Sequence, residues 1–187
     1  MARYTMLIDI HELEISPLEF DETLQPGAID LGDDIRQPGP LVARGRAELV
    51  TEHQSGAKPV LDIRLVAGLT GSIEVGCARC LEPVRYELER EFDLLYRPQG
   101  IDGGREELSI TDAEAEIGYY SGNGILLEDV LREQVLLSVP LKALCQEECR
   151  GLCPQCGKNL NQETCSCVPQ AADPRWRALQ GLKDKLQ

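Results

Sequence analysis

The residues best suited to chemistry in this chain are its cysteines, eight in 187 residues. They fall in four close pairs: Cys77 and Cys80, Cys145 and Cys149, Cys153 and Cys156, Cys165 and Cys167. Thiolates one to three residues apart can converge on one ion at a Zn–S distance of about 2.3 Å, so four such pairs match two tetrahedral four-thiolate zinc sites. Pro154 and Gly157, within the run Cys-Pro-Gln-Cys-Gly, suit the tight turn of a zinc knuckle.

An even number of cysteines also permits disulfides, and three features argue against them. The N-terminal stretch lacks the unbroken apolar core of a secretory signal, and no run approaches the ~20 apolar residues of a membrane span. That predicts a cytoplasmic chain whose thiols stay reduced. The cysteines are also clustered as knuckles rather than spread as staples. A redox-active C-x-x-C would sit beside a helix N-terminus in a βαβ unit, whereas Cys77 and Cys80 fall at a predicted hairpin tip. A catalytic zinc keeps an open position, commonly with His or carboxylate ligands, and the two histidines, His11 and His53, are remote from the C-terminal cysteines. All-thiolate ligation closes the metal, so two structural zinc ions and no enzymatic activity are expected. A structural zinc contributes roughly 10–16 kcal/mol of apparent binding free energy in small modules, and residues 141–170 hold few large apolar side chains that could fold them otherwise. The preferred pairing joins Cys77 and Cys80 to Cys145 and Cys149 and leaves Cys153, Cys156, Cys165 and Cys167 as a local site. Exchanging the two knuckles between sites is the alternative. No Gly-rich phosphate loop or G-x-S-x-G elbow is present.

Charge narrows the choice of partner. Nineteen basic residues against 32 acidic ones give a net charge of −13, which repels a phosphate backbone at long range. Solubility alone is the plainer explanation of that balance. Any cationic surface belongs to the C-terminal part, where Lys158, Arg175, Arg177 and Lys183 lie.

The elements that must position the cysteines are mostly strands. Leu41–Val50 alternates Leu41, Ala43, Ala47 and Leu49 with Arg44, Arg46 and Glu48, the period of a half-buried antiparallel strand. Leu61, Ile63 and Leu65 repeat the pattern, as do Ile73, Val75 and Cys77, and then Val84–Tyr96 with only Arg90 out of phase. Residues 76–83 connect the last two as a hairpin whose tip carries the first cysteine pair. A Gly-rich acidic loop is expected from Arg97 to Gly124, with a short strand near Ile117–Tyr120. Ile125–Ser138 reads as a helix with a Leu127, Val130, Leu131, Val135 stripe, halted by Pro140. A second helix is expected from Asp173-Pro174, with Trp176 either docked on the sheet or anchoring a partner.

Several of these segments occur together in one known family. Cys-Ala-Arg-Cys-Leu-Glu-Pro-Val at 77–84, the helix at 126–140, Cys-Arg-Gly-Leu-Cys-Pro-Gln-Cys-Gly-Lys-Asn-Leu-Asn at 149–161 and Asp-Pro-Arg-Trp at 173–176 resemble, in this order, the YceD family. That family is linked to accumulation of large-subunit ribosomal RNA in bacteria and plastids. The resemblance covers the chain from about residue 70 onward; the first 40 residues add little to it. It implies a non-enzymatic ribosome biogenesis factor acting on a large ribosomal subunit precursor, a ribosomal protein or an assembly factor, with contact to rRNA itself possible. A direct RNA-binding zinc module and a thiol-redox enzyme are the alternatives. Members vary in their C-terminal cysteines, which implies a stabilising second site and puts the hairpin Cys77-Ala78-Arg79-Cys80-Leu81 forward as the shared functional or structural element. Arg79, Leu81, Lys158, Arg175, Trp176, Arg177 and Lys183 are the candidate partner contacts.

The expected architecture is α+β: a twisted antiparallel sheet or partly closed barrel covered by a helix, with a small cysteine-rich zinc-binding C-terminal lobe. Residues 1–140 form the mainly antiparallel β domain, with its packed helix near 125–138. Residues 141–187 form the zinc lobe and C-terminal helix.

Overall fold

Three long strands with alternating side chains make the centre of the protein. The computed structural model describes residues 5–52, 60–100 and 117–168. In chain order its elements are β1 (Leu7–Asp9), α1 (Ile10–Leu13), β2 (Leu18–Leu24), β3 (Ile35–Arg36), β4 (Leu41–Glu52), β5 (Val60–Gly76), β6 (Pro83–Pro98), β7 (Ile117–Tyr120), β8 (Gly124–Leu126) and α2 (Leu127–Ser138). Among the described residues β2, β4, β5, β6 and β7 lie side by side in that order, β3 pairs with β5, and β1 and β8 form a separate two-stranded ribbon.

The register places the apolar phase of each strand on one face. Ala47 lies opposite Leu65 and Ala43 opposite Leu69, while Leu65 lies opposite Leu94 and Ala67 opposite Phe92. Phe20 and Leu24 of β2 and Leu127, Val130, Leu131 and Val135 of α2 join them in one buried cluster. Burial of such a layer is what holds strands of this charge density in a fixed register, since a one-residue slip would turn every apolar side chain to water. The opposite face carries ion pairs such as Arg64 with Asp93 at 2.6 Å and Arg44 with Asp21 at 3.0 Å. At one end of that face Arg97 donates to both carboxylate oxygens of Asp62, at 3.2 and 2.8 Å. Both residues are buried, at 8 % and 2 % exposure.

Several expectations need correction. Among the described residues the sheet is open, with β2 and β7 at its edges, and no barrel closes. It is also not wholly antiparallel, because β7 runs parallel to β6 with Leu95 opposite Ile117. The stretch 99–116 is long enough for the crossover that a parallel pair demands, whereas a hairpin turn would impose antiparallel pairing. The apolar runs from Leu61 and from Ile73 lie on one strand, β5, which ends at Gly76, just before Cys77, and passes through Gly71 where a Cβ would lie 2.5 Å from Leu41 Cδ2. The helix expected from Ile125 begins at Leu127, because Gly124–Leu126 pairs with β1. Gly124 has φ +156° and a Cβ there would lie 1.9 Å from the Ile8 carbonyl oxygen, so only glycine lets the two backbones meet. The first 40 residues, which add little to the family resemblance, contribute β1, α1, β2 and β3.

The strand at Ile117–Tyr120 and the helix stop before Pro140 fall where expected. Most of the acidic loop and the helix expected after Asp173 lie outside the described residues. No helix among the described residues is long and apolar enough to cross a membrane.

Candidate metal centres

The hairpin between β5 and β6 ends in a turn built to aim two sulfurs the same way. Leu81 N donates to the Cys77 carbonyl at 3.0 Å and Cys77 N donates to the Glu82 carbonyl at 2.8 Å. The segment from Cys153 repeats this turn atom for atom: Gly157 N donates to the Cys153 carbonyl at 2.9 Å and Cys153 N to the Lys158 carbonyl at 2.8 Å. The fifth position of each turn is left-handed, with φ +73° at Gly157 and +63° at Leu81. Glycine suits that conformation and leucine does not. Leu81 is the one non-glycine residue with positive φ among those described, and its side chain is 70 % exposed.

The polypeptide after α2 folds back onto the hairpin tip. Ala78 N donates to the Ala143 carbonyl at 2.8 Å and Leu152 N to the Arg79 carbonyl at 3.0 Å. The Arg79 guanidinium donates to the carbonyl oxygens of Cys149 at 2.8 Å and Glu147 at 3.2 Å. Gly151, at φ +75°, lies against the same Arg79 carbonyl, where a Cβ would be only 3.0 Å away. These contacts bring Cys145 and Cys149 to Cys77 and Cys80.

The eight sulfurs thus gather into two groups, Cys77, Cys80, Cys145 and Cys149 in one and Cys153, Cys156, Cys165 and Cys167 in the other, with all four Sγ atoms of each group within 4.8 Å of one another. This is the preferred pairing of the two weighed from spacing. In the first group Cys77 Sγ lies 3.8 Å from Cys149 Sγ and Cys80 Sγ 3.6 Å from Cys145 Sγ. A disulfide needs about 2.05 Å, whereas the edge of a tetrahedron with Zn–S bonds of about 2.3 Å is about 3.8 Å. The separations therefore fit four ligands around one ion and not a cross-link.

The electrostatics of the thiols point the same way. The N–H groups of Arg79, then of Cys80 and Cys145, hold the Cys77 thiol down to about 6 against the opposing effect of burial. Burial and the neighbouring sulfurs push Cys145 up to about 12. In the second group the N–H groups of Cys156 and Gln155 bring Cys153 to about 6, while Cys156 and burial push Cys167 to about 12. Four sulfurs this close cannot all carry charge on their own, and a divalent cation among them removes the conflict. The donor set and geometry of each group fit a metal ion.

Sequence reasoning missed one supporting side chain. Asn161 Nδ2 donates to Cys149 Sγ at 3.2 Å, and Asn161 Oδ1 accepts from Arg150 N at 2.8 Å. Its only signal was its place in the stretch after the second knuckle. Asn159 and Gln162 also reach across to Glu82 of the hairpin, at 3.3 and 3.1 Å, and so tie the second knuckle to the first. Of the candidate partner contacts, Leu81 is exposed, Arg79 is occupied in joining hairpin to lobe, and Lys158 pairs with Glu163 at 2.8 Å. Arg175, Trp176, Arg177 and Lys183 lie outside the described residues.

An open sheet whose β5–β6 hairpin meets two four-cysteine groups that could each hold a metal ion defines the class of this molecule as a β-rich protein with two candidate metal centres. The family model described as Large ribosomal RNA subunit accumulation protein YceD matches residues 65–183, and the chain belongs to this family. An uncharacterized protein of Mycobacterium tuberculosis is 36 % identical over 165 residues, which cover 83 % of this chain and 74 % of the relative. A second such protein, from Mycobacterium leprae, is 30 % identical over 177 residues, or 88 % and 77 % of the two chains. The Arabidopsis thaliana protein named Large ribosomal RNA subunit accumulation protein YCED homolog 1, chloroplastic, is 26 % identical over 140 residues, 62 % of this chain and 42 % of that one. No solved structure matches the chain.

Proposed function

We propose that this chain is a non-enzymatic ribosome biogenesis factor. It supports accumulation or maturation of large-subunit rRNA by binding a ribosomal protein or a precursor particle in the cytoplasm. The observation that carries this reading is the family match over residues 65–183, which includes the hairpin tip, α2 and all eight cysteines. The net charge of −13 favours a basic protein over bare RNA as the first contact.

In this reading the two clusters hold one structural zinc ion each, ligated by Cys77, Cys80, Cys145 and Cys149 and by Cys153, Cys156, Cys165 and Cys167. Zinc supplies no reaction there; it lets the thiolates coexist and fixes the small lobe of residues 141–187 against the β domain of 1–140. Leu81 is the side chain best placed to meet a partner, since it keeps a strained backbone without gaining burial. A residue held in such a conformation at a surface motivates a functional hypothesis. The C-terminal residues Arg175, Trp176, Arg177 and Lys183 supply the remaining contacts.

Depletion of the protein in growing cells tests the reading. Large-subunit rRNA should fall relative to small-subunit rRNA, with free large-subunit precursors accumulating in sucrose gradients. Unchanged rRNA ratios and subunit profiles would overturn it. The direct RNA-binding alternative predicts that affinity for an rRNA fragment falls steeply with salt. Arg79 and Lys158, the two described cations it would use, are both already engaged within the chain.

A further inference from the structure

Residues 157–164 connect Cys156 to Cys165, two members of the local cluster, so an ion held by that cluster would pin both ends of the segment. Three side chains of the segment reach the surroundings of the other cluster. Asn161 Nδ2 donates to Cys149 Sγ at 3.2 Å, and Asn161 Oδ1 accepts from the N–H of Arg150, the residue after that cysteine, at 2.8 Å. Asn159 Nδ2 and Gln162 Nε2 both donate to Glu82 Oε1, at 3.3 and 3.1 Å. Glu82 closes the turn that carries Cys77 and Cys80, through its carbonyl bond from Cys77 N.

The backbone joins the same two regions. Leu160 N donates to the Gly151 carbonyl at 2.9 Å, and Leu152 forms a β-bridge with Asn159. Asn161 is half-buried and held in its orientation by its neighbour: its backbone N–H and its Nδ2 each donate to Asn159 Oδ1 at 3.0 Å. The geometry that aims Asn161 at Cys149 therefore belongs to a segment whose two ends are ligands of the other cluster. Hydrogen bonds of this kind to a metal-binding side chain orient it and tune its affinity for the ion.

We propose that the two metal centres load cooperatively, with Asn161 as the residue that couples them. Closing Cys153, Cys156, Cys165 and Cys167 around one ion fixes residues 157–164, and Asn161 then sets Cys149 for the ion shared with the hairpin. Asn161 is in this role a positioning residue and not a ligand. The entropy of ordering the segment is lost on filling the local centre, so the joint centre binds its ion in a lobe already arranged. By linkage, an ion at the joint centre strengthens the local one by the same factor. The inference deepens the zinc ligation proposed above and rests on it, and it is independent of the ribosomal role.

The test uses the zinc-loaded full chain under reducing conditions, equilibrated with graded chelator, with bound ions counted by native mass spectrometry. Asn161→Ala should lower the overall affinity for the two ions about tenfold, the low end of what loss of such an outer partner costs. Cys165→Ser with Cys167→Ser removes the local centre and should weaken the remaining one by at least the same factor. Adding Asn161→Ala to that double variant should change the remaining centre by less than a further factor of about two, because the segment is no longer closed. Glu163→Gln breaks the pair with Lys158 on the same segment without touching the hairpin, and should leave both affinities within about twofold of the parent. An equal loss from Asn161→Ala with and without the local centre would make Asn161 a simple orienting contact and overturn the coupling. Undiminished affinity in Asn161→Ala, or a double variant that keeps the parent's affinity at the joint centre, would overturn it as well. A chain that holds no ion removes the zinc reading and this inference together, whereas two ions bound independently remove this inference alone.

Discussion

Leu81 departs from the local rule of its turn while its side chain stays exposed. The second knuckle places Gly157 where the hairpin places Leu81, and a left-handed leucine costs roughly 1–2 kcal/mol. Leu81→Gly should therefore leave metal content unchanged and raise unfolding free energy by up to about 1 kcal/mol, after the added flexibility of glycine in the unfolded chain is subtracted. Denaturant titration measures the change in unfolding free energy, and rRNA ratios in complemented cells should show a loss of function alongside it. A destabilised variant would mean instead that the leucine side chain packs. Tyr96 offers a titration at the same scale. Its folded value of about 12 lies above the ordinary tyrosine value of 10. The folded protein therefore holds this proton more tightly than the unfolded chain, and the associated stability is full below pH 10 and lost as pH rises through about 12. Glu133→Gln should lower the Tyr96 midpoint, followed by the ring resonances in NMR, yet leave it above 10, because burial is the larger cause. A midpoint that does not move would separate Glu133 from the Tyr96 hydroxyl.

At the scale of elements, the hairpin β5–β6 and the C-terminal lobe behave as two halves of one centre. Cys145→Ser removes a ligand from the cluster that joins them, whereas Cys165→Ser removes one from the cluster local to the lobe. If each cluster holds one zinc ion as proposed, native mass spectrometry should find two ions on the parent and one on each variant. Amide exchange should distinguish them, with the hairpin tip losing protection in the first case only. A Cys145→Ser protein that keeps both ions would overturn the pairing. The sheet has its own critical point at Gly45, which pairs with Ala67 of β5. A Cβ there would lie 2.4 Å from Ala67 Cβ and 2.5 Å from the Val66 carbonyl oxygen, and the obstructing atoms belong largely to a paired strand. Gly45→Ala should cost about 1–3 kcal/mol, as overpacking does, measured as a lower denaturation midpoint with unchanged slope. The alternation of β4 to β6 made these strands legible in the sequence, since every second residue is apolar. The short pieces β1, β3 and β8 were not legible, because two or three residues carry no period. The pairing of β1 with β8 depends on the backbone approach at Gly124.

For the whole molecule, the buried cluster that joins the sheet to α2 includes no cysteine, while the segment 141–168 has few apolar side chains of its own buried in that core. Chelation should therefore release the lobe without melting the sheet. Far-UV circular dichroism is expected to keep its strand signal after metal removal, while protease cleavage appears between residues 141 and 168; loss of both together would mean that the metal centres hold the β core as well. Residue type and spacing alone determined the donor set, the two-site arithmetic, the hairpin that presents the first pair and the apolar stripe of α2, because each of these is a local property of a few neighbouring residues. The tertiary structure decided which cysteine pairs lie together, the parallel placement of β7, the closing of Gly124 on β1 and the approach of Glu133 to Tyr96. Those depend on segments far apart in the chain approaching within a few ångströms, where backbone clearance at single glycines and the burial of one continuous apolar layer select among arrangements that local patterning leaves equal.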